Sequence, residues 1–112
     1  MQNRDVTESI LFTALADSTR RDLLLNLAQN SPKTATQLSD EYPITRQAIL
    51  KHLNVLQEAG LVTVQQQGRD KRYYLTLDPL DNLQQWIEEL NALWDRRLLR
   101  LKALVEDEQG DE

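Results

Sequence analysis

A chain of 112 residues, 40% hydrophobic and 28% charged, has room for one packed core and little else. It holds no cysteine and a single histidine, His52, which excludes disulfides, thiolate or His-rich metal sites and any Cys–His catalytic pair. The net charge of −5 is uneven: residues 33–77 carry six Lys and Arg against four acids, while residues 78–112 carry four against ten, so positive charge collects in the middle of an acidic chain.

Taken in order, the opening MQNRDVTES lacks the apolar core of a signal peptide, and no later run approaches the roughly 18 to 20 apolar residues that span a bilayer. A cytoplasmic protein is the expectation. Residues 1–7 read as a flexible polar start. Glu8–Ala16 then sets Ile10, Leu11, Ala14 and Leu15 on one helical face. Asp17 is the expected N-cap of a second helix that buries Leu23, Leu24 and Leu27 and leaves Arg20 and Arg21 outside, and Asn30-Ser31-Pro32 ends it. Thr34 with Gln37 fits a capping box for a third, short helix whose core residue is Leu38. Tyr42-Pro43-Ile44 breaks it, since proline restricts the residue before it and cannot extend a helix.

Thr45–Leu56 follows as a helix with two unlike faces. Ile49, Leu53 and Leu56 form an apolar stripe widened by Ala48, Val55 and Ala59, and Arg46, Gln47, Leu50, Lys51 and Asn54 cluster opposite. Cations and amides on one ridge are the side chains that pair with base edges and phosphates in a major groove. Helix, tight break and a second helix with such a ridge is a helix-turn-helix layout. Thr45 is the expected N-cap and Gly60 the expected stop. His52 lies near the apolar stripe, where a structural hydrogen bond to a backbone carbonyl is expected.

Leu61–Val64 and Arg72–Leu77 alternate as strands, with Tyr73, Leu75 and Leu77 on one face. The connection between them carries Gly68, Arg69 and Lys71, which makes the pair a wing able to reach a phosphate or a minor groove; Arg69, Lys71 and Arg72 are its candidate DNA contacts. Asp78-Pro79 signals the start of the last helix, with proline at its first position. Its stripe of Leu80, Leu83, Ile87, Leu90, Trp94, Leu101 and Leu104 runs for about 26 residues, roughly 39 Å, and with Trp86 it is too long to be covered by so small a body. Residues 106–112 are expected to be a disordered acidic tail. The fold class expected is mainly α with a small β-hairpin, a winged helix-turn-helix in the order ααααββα, spanning residues 8–105 as the DNA-binding and dimerisation domain.

The segments ALADSTRRDLLLNLA, TATQLSDEYPITRQAILKHLNVLQEAGLV and GRDKRYYL together resemble the ArsR-type winged-helix transcription repressors over residues 8–105. The resemblance implies a homodimer closed by the first and last helices, here through Ile10, Leu11, Leu83, Trp86, Ile87, Leu90, Trp94 and Leu101, bound to an imperfect palindrome in a promoter. On this reading Arg46, Gln47 and Lys51 meet base edges, Thr34, Thr36, Gln37 and the helix N-termini meet phosphates, and Thr45 is a further candidate DNA contact. The sequence departs from the family's metal sensors, which carry Cys-x-Cys in the third helix or Asp and His ligands in the last, and so is similar to the metal-free, autorepressing branch; no cofactor is expected. Leu50 stands where many relatives have a small serine facing DNA, and is placed to touch a thymine methyl instead. Two other readings remain at this level: a winged-helix protein-interaction module without DNA binding, and a metal-responsive repressor using Asp78, Asp81 and Glu88 as hard oxygen ligands. Nothing pairs a nucleophile with a base, so an enzyme is not expected.

Overall fold

The computed structural model describes the backbone over residues 3–110 and side chains over 6–107. Five helices and three strands follow one another as α1 (Asn3–Leu15), α2 (Ser18–Gln29), β1 (Lys33–Thr34), α3 (Ala35–Glu41), α4 (Arg46–Glu58), β2 (Val62–Gln67), β3 (Asp70–Leu75) and α5 (Leu80–Gly110). This is the expected winged arrangement with one short strand added. The chain divides into two compact units, Met1–Leu80 and Asp81–Glu112.

In the first unit the caps fall where the side-chain chemistry puts them. Asp17 sits in extended geometry and accepts a 3.0 Å hydrogen bond from the Arg20 backbone N–H, opening α2. That bond is the main reason the Asp17 carboxyl lies below the usual carboxylate range. Thr34 and Gln37 form the full capping box: the Gln37 N–H donates to Thr34 Oγ1 at 3.1 Å and the Thr34 N–H donates to Gln37 Oε1 at 2.8 Å. Thr45 Oγ1 accepts from the Ala48 N–H and opens α4. At the other end of α4 the Leu61 N–H reaches Leu56 O and the Gly60 N–H reaches Gln57 O, the paired bonds of a Schellman motif. Gly60 adopts φ +77°, a conformation that favours glycine, and a Cβ there would also stand in tight contact with Pro79 Cγ at 3.3 Å.

The core is built around α4, which touches α1, α2, α3 and β2. Ile49, Leu53 and Leu56 are fully buried and meet Leu23, Leu27 and Leu38, also fully buried. Leu11 and Ala14 close the core from α1.

Several expectations are corrected. α1 begins at Asn3, so residues 3–7 are helical rather than loose, and residues 1–2 lie outside the described residues. Arg20 does not lie free: its guanidinium donates to Ala14 O and Thr13 O, each at 2.8 Å, and closes the C-terminus of α1, while Arg21 donates to Leu15 O. His52 makes no bond to a backbone carbonyl; its Nδ1 stands 3.3 Å from Arg20 Nη1 and 4.0 Å from Asp17 Oδ2, tying α4 to the α1–α2 junction. β1 was missed because two residues carry no readable period; it exists because β3 offers a free edge, pairing Lys33 with Tyr73 and Thr34 with Arg72. The sheet order is therefore β1-β3-β2. The wing strands run longer than their apolar alternation, with Gln67 paired to Asp70 across a two-residue turn. Gly68 has φ +64° at the first turn position and Arg69 does not share a positive φ, the pattern of a type II′ hairpin. Leu77, expected on the Tyr73 face, lies beyond β3 and is exposed.

Outside the core, Asn26, Lys33, Glu41 and Tyr42 link α2, β1 and the end of α3. Lys33 Nζ donates to Asn26 Oδ1 at 2.7 Å and pairs with Glu41 at 2.9 Å; Asn26 Nδ2 donates to Glu41, and the Tyr42 hydroxyl donates to Asp22 at 2.7 Å. The Asn26 bond, more than the Lys33 charge, holds the Glu41 carboxyl low.

In the second unit α5 is a single helix of 31 residues, about 46 Å long. It opens at Leu80, one residue after the expected position, with Asp78 and Pro79 in the preceding turn. It continues to Gly110, so residues 106–110 are helical rather than a disordered tail, and residues 111–112 lie outside the described residues. Leu83 is half-buried, and from Trp86 to Val105 every large apolar side chain is exposed, Leu90 at 52% and Trp94 at 55%.

Two outcomes follow from the caps and the polar link. The Asp17 carboxyl is lowered from 3.8 in the folded state, so its stabilisation is complete above that value and is lost as pH falls through the folded pKa. Asp17→Ala should therefore lower the denaturant midpoint at neutral pH, with the gap to the parent narrowing once pH drops below about 3.8, as read from urea unfolding across an acid series. The Tyr42 phenol is pushed up to about 12, first by burial and then by its bond to Asp22. Its protonated form stabilises the fold fully below pH 10 and the contribution disappears between 10 and about 12. An ultraviolet tyrosinate titration should show a component near 12 that is absent from Tyr42→Phe and moves to about 10 in denaturant.

Candidate nucleic-acid interface

The face of α4 opposite the core stripe carries Arg46, Gln47, Lys51 and Asn54, all exposed, and the half-buried Leu50. This follows from the helix period: once Ile49, Leu53 and Leu56 turn inward, those five positions turn outward. The wing rises beside this face. Between them lies an open groove of about 430 Å³. Arg46, Leu50 and Asn54 form one wall, and Gln66, Arg69, Asp70 and Lys71 form the other, with Ala35 and Tyr73 at its floor. Tyr73 is buried at 4%; burial pushes its phenol up in pKa, and the nearby Arg46 guanidinium partly offsets that shift.

Of the twelve residues expected to meet DNA, five share this groove: Arg46, Leu50, Asn54, Arg69 and Lys71. Gln47 and Lys51 stand exposed on the same helix but outside it. Arg72 is exposed on β3, opposite Gln65 on one side and Thr34 on the other. Thr36 and Thr45 are exposed at the starts of α3 and α4. Thr34 and Gln37 have their side-chain acceptors engaged in the capping box, which leaves the Thr34 hydroxyl proton and the Gln37 amide protons to donate outward.

The electrostatics of this surface are simple. Lys33 is already paired with Glu41. Arg46, Lys51, Arg69, Lys71 and Arg72 form no ion pair among the described residues, and Asp70 is the acid among the groove's lining. A surface of uncompensated cations flanked by amides suits a polyanion with readable edges.

Gln66 and Asp70 were missed as groove residues. Gln66 sits in a Gln-Gln-Gln run that carries no periodic signal, and Asp70 reads as a loop acid in the sequence, whereas its pairing with Gln67 makes it the first residue of β3, at the tip of the wing. Among the described residues no group of three or more His, Asp or Glu side chains could hold a metal ion, and Asp78, Asp81 and Glu88 form no such group. No helix among the described residues is long and apolar enough to cross a membrane.

Comparison with known proteins agrees with this geometry. A helix-turn-helix domain family model matches residues 15–65, from the start of the α1–α2 junction to β2. The chain is 42% identical over 85 residues to the uncharacterized HTH-type transcriptional regulator YuzN of Bacillus subtilis, covering 70% of this chain and 92% of that protein. It is 29% identical to the transcriptional repressor SdpR of Bacillus subtilis, over 69% of this chain and 84% of that one. Among solved structures, the ArsR-like transcriptional regulator from Rhodococcus sp. RHA1 superposes with a TM-score of 0.83 at 36% identity, covering 96% of this chain and 98% of its own. With the winged architecture and these relatives in agreement, the chain belongs to the ArsR-type winged helix-turn-helix transcription regulators, a family of DNA-binding proteins and not of enzymes.

Proposed function

We propose that this regulator is a homodimeric repressor that occupies an imperfect palindrome in a promoter. The observation that carries the proposal is one groove with Arg46 and Asn54 of α4 on one wall and Arg69 and Lys71 of the wing on the other, with Gln47 and Lys51 exposed on the same helix outside it. Arg46 and Lys51 suit guanine O6 and N7, and Gln47 and Asn54 suit adenine N6 and N7. Thr36, Thr45 and the N-terminus of α4 suit phosphates, as do the outward donors of Thr34 and Gln37, fixing register rather than sequence. Arg69, Lys71 and Arg72 add flanking backbone contacts. Repression would be steric, by exclusion of the transcription machinery from the promoter, and cytoplasmic residence accompanies that role. SdpR, one of the relatives above, is named a transcriptional repressor, which favours repression over activation.

Dimerisation is supported by the exposed stripe on α5. Trp86, Ile87, Leu90, Trp94 and Leu101 are each between 44% and 55% exposed, an apolar surface of the kind that finds a partner. Leu83, half-buried on the same helix, and Ile10, 39% exposed on α1, are the other candidate contacts with a partner. Leu11 is withdrawn from the expected interface: at 3% exposure it belongs to the core of its own unit and offers a partner almost no surface. Two reading helices related by a two-fold axis would enter successive major grooves about 34–36 Å apart.

Footprinting of the purified protein on the DNA upstream of its own coding region tests the reading. Arg46→Ala should weaken binding to the protected site by roughly 1–3 kcal/mol and relax preference at one base pair per half-site. Lys71→Ala should weaken all sequences alike and reduce the slope of log affinity against log salt by about 1 per protomer between about 50 and 200 mM. Unchanged affinity in Arg46→Ala, or salt-independent binding, would refute the assignment. Separately, sedimentation of the parent protein should give a dimer at micromolar concentration, and Trp94→Glu should shift it to monomer while leaving the helical circular dichroism in place. A parent that sediments as a monomer ends the palindrome model.

A further inference from the structure

The reading groove contains one residue whose chemistry differs from its neighbours. Of its described lining residues, Arg46, Asn54, Gln66, Arg69, Asp70 and Lys71 are polar, while Ala35 and Tyr73 are buried at its floor. Leu50 is the remaining one: aliphatic, half-buried, and set between Arg46 and Asn54 at four residues on either side, one turn of helix each way. The core does not need it. Ile49, Leu53 and Leu56 complete the inward face of α4 with no exposure left. A single exposed leucine elsewhere on a surface would mean little. Here it stands in the middle of a row otherwise built for hydrogen bonding, on the face that meets DNA.

The major-groove edges of the four base pairs offer donors and acceptors everywhere except one place. The C5 methyl of thymine is the apolar group among them. We infer that Leu50 is a specificity-determining residue that reads a thymine methyl, an inference that rests on the DNA-reading role of α4 proposed above. The four residues from Arg46 to Leu50 span about 6 Å of helix axis. That is roughly two base steps at 3.4 Å, so the thymine lies within about two base pairs of the base that Arg46 reads. The contact adds recognition that hydrogen bonds cannot supply: a cytosine at the same position presents an amino donor and no methyl, and Leu50 would leave that donor without a partner.

The test removes the methyl and nothing else. Duplexes that the full-length protein enriches from a random pool are resynthesised with deoxyuridine in place of each thymidine in turn, and the affinity of each is measured by gel shift. At one position per half-site the substitution should weaken binding about fourfold, the value of burying one methyl-sized group. Leu50→Ala should bind the thymidine and deoxyuridine duplexes alike. Leu50→Met, which keeps apolar reach, should retain most of the penalty, and a thermal melt of each variant controls for folding. Indifference of the parent to every deoxyuridine would overturn the inference, as would a full penalty surviving in Leu50→Ala, which would move the methyl contact to another residue. Failure to enrich any duplex is a different result: it would overturn the DNA-reading role itself, and the Leu50 assignment with it.

Discussion

The burial of one stripe on α4 organises the rest of the molecule. Ile49, Leu53 and Leu56 have no exposed surface, and α4 touches three helices and a strand. Because residues follow one another at about 100° around a helix, fixing that stripe leaves no freedom in which residues face outward. A rotation of one position would bring Leu50, Asn54 and Gln57 toward the core in their place, and burying two unpaired amides is costly. The Thr45 cap and the Schellman closure at Gly60 fix where the helix starts and stops. The reading face is thus a by-product of apolar packing, held in place without any contact of its own.

The same core also explains how an acidic protein can present a cationic site. A net charge of −5 is a sum over the whole chain, but exposed charges farther apart than a Debye length of about 8–10 Å are largely screened from one another. What an approaching ion meets is the local set: Arg46, Arg69 and Lys71 around one groove, with Asp70 among them. Ten of the chain's acids lie in residues 78–112, most of them along α5. The two signs are segregated along the chain, so the middle presents positive charge while the last helix is acidic.

Polar side chains join the elements that the core stacks. Arg20 is the clearest case. Its guanidinium satisfies two carbonyls at the end of α1 and also meets His52 on α4, so one side chain from α2 reaches two other helices. Asn26, Lys33 and Glu41 do the same for α2, β1 and α3. These groups are partly exposed, so each bond adds only modestly to stability. Their effect is to cross-link elements: α1, α2 and α4 through Arg20, and α2, β1 and α3 through Lys33.

Local signals in the sequence were enough for the helices of the first unit, because each carries its own start and stop. Asp17, Thr34 and Thr45 cap by side-chain chemistry, Gly60 ends α4 by backbone conformation, and the leucine spacing on α2 and α4 chose the buried face. The outward set on α4 was legible for the same reason, being what remains after the inward set is chosen. Features that depend on residues distant in the chain were not legible. β1 needs the free edge of β3; the groove needs the wing folded beside α4; Arg20 needed carbonyls six and seven residues away and His52 thirty-two residues on. Leu11 and Ile10 are neighbours on the same expected face, yet one is core and the other 39% exposed, a distinction that only packing against other helices could make. Periodicity states which residues share a face, whereas tertiary structure decides what that face meets.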